Sequence, residues 1–400
     1  LIISWPNGTK SKHENLKTNK GYTFTQPQPN AVNKNINLEK NHFKNPLIAT
    51  RGIFNFLHRE NSAVDFNREQ LLPEMFNNEG PNIASADINN DGKPDFYIGG
   101  AIGQSGSLFI SQHDTTYIET QKPFALNSKS EDTDAIFFDS DNDGDLDLYV
   151  CSGGKSFSKY DFSLNDRLYI NDGNQNFSLS RNSLPFKSPI SSSTVSVYDF
   201  DQDGDQDIFI GERFKVETYG IPTSGYILEN KGNNMFEFSS QPTLNDIGLI
   251  TDSDWADMNH DGIKDLIVSG EWMPISIFIN KNGILSNQTK AYGLDDTSGY
   301  WKTFKAIDVN NDGNPDIIAG NKGKNSFFKN ELRMFVSDFD DNGTVEQIIC
   351  YKKDNKYYPI VDRDELVSQI ASLKQKLLFY KDYANANMQS IFSKEQLEKQ

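Results

Sequence analysis

The chain has 400 residues, with 39 Lys and Arg against 56 Asp and Glu, and a formal charge of −17. That balance excludes nucleic-acid binding by phosphate neutralisation, which needs basic residues in excess. No run of eighteen apolar residues is present to cross a membrane as a helix, yet 12% aromatic residues exceed what a disordered acidic chain carries.

The chain opens at LIISWPNG, a mid-strand composition without Met or secretion signal. It is therefore expected to be a piece of a longer precursor whose signal lies upstream. Residues 1–26 read as a β-hairpin fragment turning at Pro6-Asn7-Gly8. Residues 27–46 are rich in Pro, Asn and Lys without periodicity, and read as a linker. Residues 47–80 are a lead-in, expected to supply a closing strand to the domain that follows.

Six nonamers then share the template D-x-[DN]-x-[DN]-G-x-x-[DE]. They are DINNDGKPD, DSDNDGDLD, DFDQDGDQD, DMNHDGIKD, DVNNDGNPD and DFDDNGTVE, starting at Asp87, Asp139, Asp199, Asp257, Asp308 and Asp338. The template suits Ca²⁺, which takes six to eight hard oxygens that a short loop supplies by curling around the ion. Positions 1, 3, 5 and 9 offer side-chain oxygens and position 7 its carbonyl. Glycine at position 6 permits the sharp turn. The expected ligands of the first three loops are Asp87, Asn89, Asp91, Lys93 and Asp95; Asp139, Asp141, Asp143, Asp145 and Asp147; and Asp199, Asp201, Asp203, Asp205 and Asp207. Those of the last three are Asp257, Asn259, Asp261, Ile263 and Asp265; Asp308, Asn310, Asp312, Asn314 and Asp316; and Asp338, Asp340, Asn342, Thr344 and Glu346. About five to six structural Ca²⁺ ions are expected. Asp/Asn/Gly surface turns would need only one such side chain each, not four in register.

An EF-hand is excluded because the last carboxylate falls at position 9 rather than 12, and because short β-branched and aromatic runs flank each loop. FYIGG, LYVCSGG, IFIGE, LIVSGE and IIAGN follow the first five loops, and further strands such as SLFISQ and RLYIND come after them. About four short strands per repeat predict propeller blades. The sixth loop departs, with Asn342 at position 5, Glu346 at position 9 and a spacing of only 30 residues, so blade number stays open between about six and seven. YKKDNKYYPIV continues as a strand or hairpin. From Asp362, Leu366, Ile370, Leu373 and Leu377 mark one helical face, with Asp362 or Asp364 as its cap. A second short helix is expected from Ser393.

Beyond the loops, chemistry is sparse. Cys151 and Cys350 read as small core residues. The five histidines form no H-x-H or H-x-x-x-H pair, and no G-x-S-x-G, P-loop or Rossmann fingerprint appears. Glu212, Arg213, Glu271, Trp272 and Asn321 each follow a second strand directly. They read first as ordinary strand-end polar residues with Trp272 packed between blades; the other reading gathers them at one rim as a ligand-binding surface suited to a sugar face.

The nonamers and their strand endings over residues 81–350 resemble the FG-GAP/VCBS repeats of integrin α-type β-propellers. LIISWPNGTKSKHENLKTNKGYTFTQ is similar to the end of an ASPIC/UnbV domain, the domain named after cartilage acidic protein. GIFNFLHRENSAVDFNREQLLPEMFNNEGP, GEWMPISIF and GLDDTSGYWKT are similar to the second propeller of large bacterial proteins of that kind. The resemblance implies export, calcium and an adhesion or binding role outside the cell, and no known reaction.

The expected architecture is therefore all-β: the end of an ASPIC/UnbV-like β domain (1–26), a linker (27–46), a calcium-loop β-propeller with its lead-in (47–361) and an α-helical tail (362–400). The expected function is a non-enzymatic calcium-binding module of a secreted or cell-surface protein. Its expected partners are a glycan or extracellular protein and the remaining domains of the precursor. The alternatives are a polysaccharide lyase or hydrolase built on the propeller, or a structural spacer in a multidomain adhesin.

Overall fold

The computed structural model describes residues 2–4, 10–14, 22–25, 56–112, 116–120, 122–323, 326 and 331–398. The chain divides into two compact units, Leu1–Gly52 and Ile53–Gln400. In the first, β1 (Ile2–Ser4) pairs antiparallel with β2 (Lys10–Lys12), Ile2 standing opposite Lys12. The Pro6-Asn7-Gly8 turn, the 27–46 linker, His42 and His113 lie outside the described residues.

The second unit is a series of antiparallel sheets followed by short helices. The first sheet runs β3 (Ile83–Ala86), β4 (Asp95–Ile98), β5 (Ser107–Ser111) and β6 (Tyr117–Thr120). The second runs β7 (Asp132–Phe138), β8 (Asp147–Ser152), β9 (Arg167–Asn171) and β10 (Phe177–Ser180). The third is β11 (Ser192–Tyr198), β12 (Asp207–Glu212), β13 (Gly225–Asn230) and β14 (Phe236–Ser239). The fourth is β15 (Leu249–Ala256), β16 (Asp265–Met273), β17 (Ser276–Lys281) and β18 (Ile284–Asn287). Each of these four is a simple meander in chain order.

The regularity then weakens. β19 (Gly299–Ile307) and β20 (Asp316–Asn321) pair with each other, and β19 also borders β16 through Glu271 and Tyr300. β21 (Leu332–Ser337), β22 (Glu346–Lys353) and β23 (Lys356–Pro359) form a three-stranded sheet. Asp354 and Asn355 close its last hairpin with φ of 49° and 57°, the left-handed pair a two-residue turn demands. Four strands per repeat thus hold for the first four sheets only, among the described residues.

The second strands explain the packing. Successive side chains of a strand point to opposite faces. Along β8, Leu148 and Val150 join an apolar cluster with the first sheet, while Tyr149 and Cys151 join one with the third. Along β12, Ile208 and Ile210 face the second sheet and Phe209 the fourth. A strand buried on both faces reads as an unbroken apolar run rather than an alternation. Both cysteines are buried and free.

The first strands carry a device with no plain trace in the residue pattern. β7, β11, β15 and β19 each shift register at one place, between Asp132 and Asp134, Ser192 and Thr194, Ile250 and Asp252, and Trp301 and Thr303. A bulge re-aims a side chain. Here it sends polar groups across to the neighbouring first strand. The Asp134 carboxylate accepts Val195 N–H at 2.8 Å, Ser193 Oγ donates to Ile250 O at 2.8 Å, and Asp252 accepts Phe304 N–H at 2.9 Å.

Two expectations need correction. Residues 47–55 of the lead-in lie outside the described residues, and its described part, from residue 56, holds no strand, only a 3₁₀ turn at Asp65–Asn67. Its side chains fill the interior instead, Leu72 and Phe76 packing with Phe214, Tyr219 and Leu249. The tail ends on the short helix expected from Ser393, but what precedes it is not one helix. It breaks into α1 (Arg363–Gln369), a 3₁₀ turn (Ala371–Lys374), α2 (Tyr380–Tyr383), α3 (Met388–Ile391) and α4 (Lys394–Glu398). The break falls at Ile370, whose backbone leaves the helical region at φ −112°, ψ 82°. Leu366, Ile370, Leu373 and Leu377 nevertheless share one core with Phe335, Phe339 and Ile348, and Asp362 caps α1 by accepting Glu365 N–H. Packing against β21 and β22, not helical continuity, aligns the four apolar residues.

Candidate metal centres

All six nonamers join the first strand of a sheet to the second, and they share one hydrogen-bond pattern. The position 1 carboxylate accepts the position 6 glycine N–H in every loop, for example Asp87 from Gly92 at 2.7 Å and Asp338 from Gly343 at 2.8 Å. Position 5 accepts the position 7 N–H, at 2.9 Å for Asp91 and Lys93. Position 9 accepts the position 2 N–H, at 2.9 Å for Asp95 and Ile88. In the first four loops the other position 9 oxygen takes an N–H from the third strand: Ser111, Asn171, Asn230 and Asn280. The position 9 residue is thus a staple between loop, second strand and third strand.

Position 4 holds a second turn element. Asn90, Asn142, Gln202, His260, Asn311 and Asp341 all have positive φ, between 56° and 64°. Asn, Asp and His are the side chains that tolerate this region best, so their recurrence at position 4 is a legible signal. The reversal lets some neighbouring loops touch, as where the His260 ring meets Asn314 Oδ1 at 2.7 Å.

The backbone bonds occupy only part of each carboxylate. Asp139 Oδ1, Asp199 Oδ1 and Asp340 Oδ1 are buried with no hydrogen-bond partner. In the same three loops, Asp139, Asp141 and Asp143; Asp199, Asp201 and Asp207; and Asp338, Asp340 and Glu346 each bring oxygens within 4.8 Å of one another. Two oxygens at Ca²⁺ bonding distance from one ion stand at most about 5 Å apart. An orphaned buried carboxylate oxygen is costly unless a cation completes it. The donor set is all hard oxygen, so these residues fit Ca²⁺. In the other three loops position 3 is an amide, Asn89, Asn259 or Asn310.

Burial pushes the Asp147 carboxyl up to about 6 and that of Asp207 up to about 7, with repulsion from loop carboxylates adding to it. A divalent cation reverses such shifts by favouring the charged form.

Asp265 and Glu271 mark opposite ends of the regular part of β16, about 20 Å apart at strand rise. The rim reading places Glu212, Arg213, Glu271, Trp272 and Asn321 together in the open; the structure splits them. Glu212 is buried and accepts Lys215 Nζ at 2.8 Å and the Tyr226 hydroxyl at 3.2 Å. Arg213 and Glu271 are sealed, 3% and 0% exposed, and pair at 2.7 Å. Arg213 also pairs with Glu79 of the lead-in, and Glu271 with Lys302 and the Tyr219 hydroxyl. Burial alone raises the Glu271 carboxyl, but Arg213 and Lys302 outweigh it and hold it below its usual range. Only Trp272 and Asn321 face open space, together lining a cavity of about 590 Å³.

Glu74, Phe76 and Glu79 of the lead-in are further members of this network that residue type and spacing do not reveal. A lone acid in an irregular segment carries no local signal of the cation it meets more than a hundred residues later.

The FG-GAP-like repeat family model matches residues 87–150 and 218–268. Those stretches contain the first, second and fourth loops, and the chain holds FG-GAP-like repeats. No curated protein matches the chain. Among solved structures, the V. cholerae biofilm matrix protein Bap1 is similar at 15% identity and a TM-score of 0.34, covering 70% of this chain. The chain spans 39% of the length of that protein. Among the described residues, no helix is long and apolar enough to cross a membrane.

Proposed function

We propose that this chain is a non-enzymatic, calcium-stabilised β-propeller module that works outside the cell, binding a glycan or an extracellular protein in adhesion. The observation that carries the calcium half is the set of buried, partnerless oxygens Asp139 Oδ1, Asp199 Oδ1 and Asp340 Oδ1, each inside a ring of converging carboxylates. Positions 1, 3, 5 and 9 of the six loops, with the position 7 carbonyls, would hold about five to six ions. When bound, Ca²⁺ supplies positive charge that offsets carboxylate repulsion. The chain's own residues do the rest: position 1 fixes the glycine turn, and position 9 ties the loop to two strands.

Extracellular calcium modules bind at about 10⁻⁴–10⁻³ M, so occupancy requires extracellular calcium. Its further partners would be the remaining domains of the same precursor, including an ASPIC/UnbV-like one at residues 1–26. The non-enzymatic reading is supported by the fate of Glu212 and Glu271. An acid/base pair must reach substrate, and both carboxylates are buried and ion-paired.

Metal analysis of dialysed protein and melting with and without EGTA test the calcium half. We expect about five to six Ca²⁺ per chain and a large fall in melting temperature on chelation. An unchanged melt in excess EGTA refutes it. A glycan array, run with calcium and with EGTA, tests the ligand half.

A further inference from the structure

Two buried asparagines join neighbouring acidic loops. Asn230 ends β13, and Asn280 lies one residue before the end of β17. Each donates its backbone N–H to the position 9 carboxylate of its own sheet's loop, Asn230 to Asp207 and Asn280 to Asp265, both at 2.8 Å. Each also donates its side-chain amide to the position 2 carbonyl of the preceding loop. Asn230 Nδ2 reaches Ser140 O at 2.9 Å, and Asn280 Nδ2 reaches Phe200 O at 2.7 Å. We propose that these asparagines couple calcium binding in the second, third and fourth loops, so that an ion in one raises the affinity of its neighbour; this rests on the calcium reading above.

The line of bonds is continuous. Position 2 of each receiving loop donates its N–H to that loop's position 9 carboxylate, Ser140 to Asp147 at 3.1 Å and Phe200 to Asp207 at 3.0 Å. The path therefore runs from Asp265 to Asp207 to Asp147, each step one asparagine side chain and one peptide unit. The asparagines are held on every side. Their Oδ1 atoms accept Gly232 N–H at 2.9 Å and Gly283 N–H at 3.1 Å, and their amides also reach Gln206 O and Lys264 O at position 8 of their own loops. Each bond in a buried chain of this kind polarises the next. An ion at position 9 fixes the end of the third strand, and the asparagine passes that order to the preceding loop. Less ordering is then left for the second ion to impose.

The path stops at the second loop. Asn171 meets Asp147 in the same way, but its amide donates only to Leu146 O of its own loop, and its Oδ1 is buried without a partner. In the first sheet Ser111 takes this place, its hydroxyl on Asp91 of its own loop at 2.9 Å. Two other contacts link the second loop to the third sheet. Asn234 donates to Asp141 at 2.8 Å from the hairpin that Asn230 anchors through Gly232, so it belongs to the same device. Asn142 donates to Asp205 at an exposed site, where water weakens what a bond transmits.

The test titrates the full chain, freed of calcium, with calcium alone, by calorimetry below the melting temperature of the calcium-free protein. The second and third loops carry four carboxylates each at positions 1, 3, 5 and 9 and should fill first. Fivefold coupling between two equal sites gives a Hill coefficient of about 1.4, which we expect over these two steps. Asn230→Ser installs the first sheet's own residue and keeps the backbone bond to Asp207. It should bring the coefficient to about one with the ion count unchanged, which a general loss of stability would not do. Asn142→Gly should leave the coefficient as it is. Asn280→Ser should spare the tight pair and weaken the next step about fivefold. A second measurement does not depend on Asn230→Ser. The product of the two tight association constants should exceed the product of the steps left in Asp141→Ala and Asp203→Ala about fivefold. Equality of those products, or a coefficient unaltered by Asn230→Ser, overturns the coupling while calcium binding stands. A folded chain that binds no calcium removes the calcium reading, and the coupling with it.

Discussion

The Phe339 ring, at position 2 of the sixth loop, packs against Phe392 with centroids 4.4 Å apart and planes tilted by 34°. Its carbonyl accepts the Gln396 side-chain amide at 2.6 Å, and its N–H donates to Glu346 at 3.0 Å. One residue thus connects the last loop to the end of the tail. Phe392→Ala should cost about 3–5 kcal/mol, the usual range for a buried Phe. We expect limited proteolysis to cleave the variant within residues 363–398 while the four regular sheets stay resistant. An unaltered digestion pattern would show that the tail docks without this contact.

The loops should not bind calcium equally. At positions 1, 3, 5 and 9 the second and third loops carry four carboxylates each, and the others three. Ligand charge is a main determinant of calcium affinity in such loops. A calcium titration is expected to resolve two tighter sites ahead of the rest. Asp141→Ala and Asp203→Ala should each remove one tight step and about one ion by metal analysis. At a free calcium about 100-fold above its Kd, one such site contributes about 2.7 kcal/mol. A single uniform class of sites in the titration contradicts this ranking.

Glu131 carries a pH dependence away from the acidic loops. Burial, then the nearby carboxylates of Glu60, Asp132 and Glu79, push its carboxyl from 4.5 up to about 8. One of its oxygens accepts Ile102 N–H at 3.0 Å, and the other is buried without a partner. Between those two pH values the folded state holds a proton that the unfolded state has lost. Stability therefore falls as pH rises through this window, by up to about 1.4 kcal/mol per unit. Glu131→Gln keeps the shape and removes the titration. Denaturant melts of both proteins at pH 5 to 8 and fixed calcium should diverge, with the variant gaining relative stability toward pH 8. Parallel curves refute the assignment.

The buried Arg213–Glu271 pair should behave asymmetrically. Glu271→Ala leaves the Arg213 charge with Glu79 alone and should cost about 3–5 kcal/mol, as removing one partner of a buried pair does. The double variant Arg213→Met, Glu271→Leu should recover much of that loss. Thermal melts of the single and double variants read the difference. A double variant less stable than the sum of its singles would mean that the network contributes more than its own desolvation.

Much of this protein is legible in its residues alone. A nine-residue loop brings its own carboxylates together, so residue type and spacing name Asp139, Asp141 and Asp143 as neighbours. The unbroken runs in β8 and β12 announce strands covered on both faces. What the chain alone leaves undecided depends on partners distant in sequence. Arg213 finds Glu271 58 residues away and Glu79 134 residues away, which turns a candidate ligand rim into a sealed ion network. The same is true of Ile370, where packing on β21 and β22 overrides a helical repeat. The local sequence determined which loops bend and which strands form, because those choices are set within one turn or one strand. The tertiary structure decided which charges are spent internally and that Trp272 borders open space, because desolvation and pairing depend on everything folded around them.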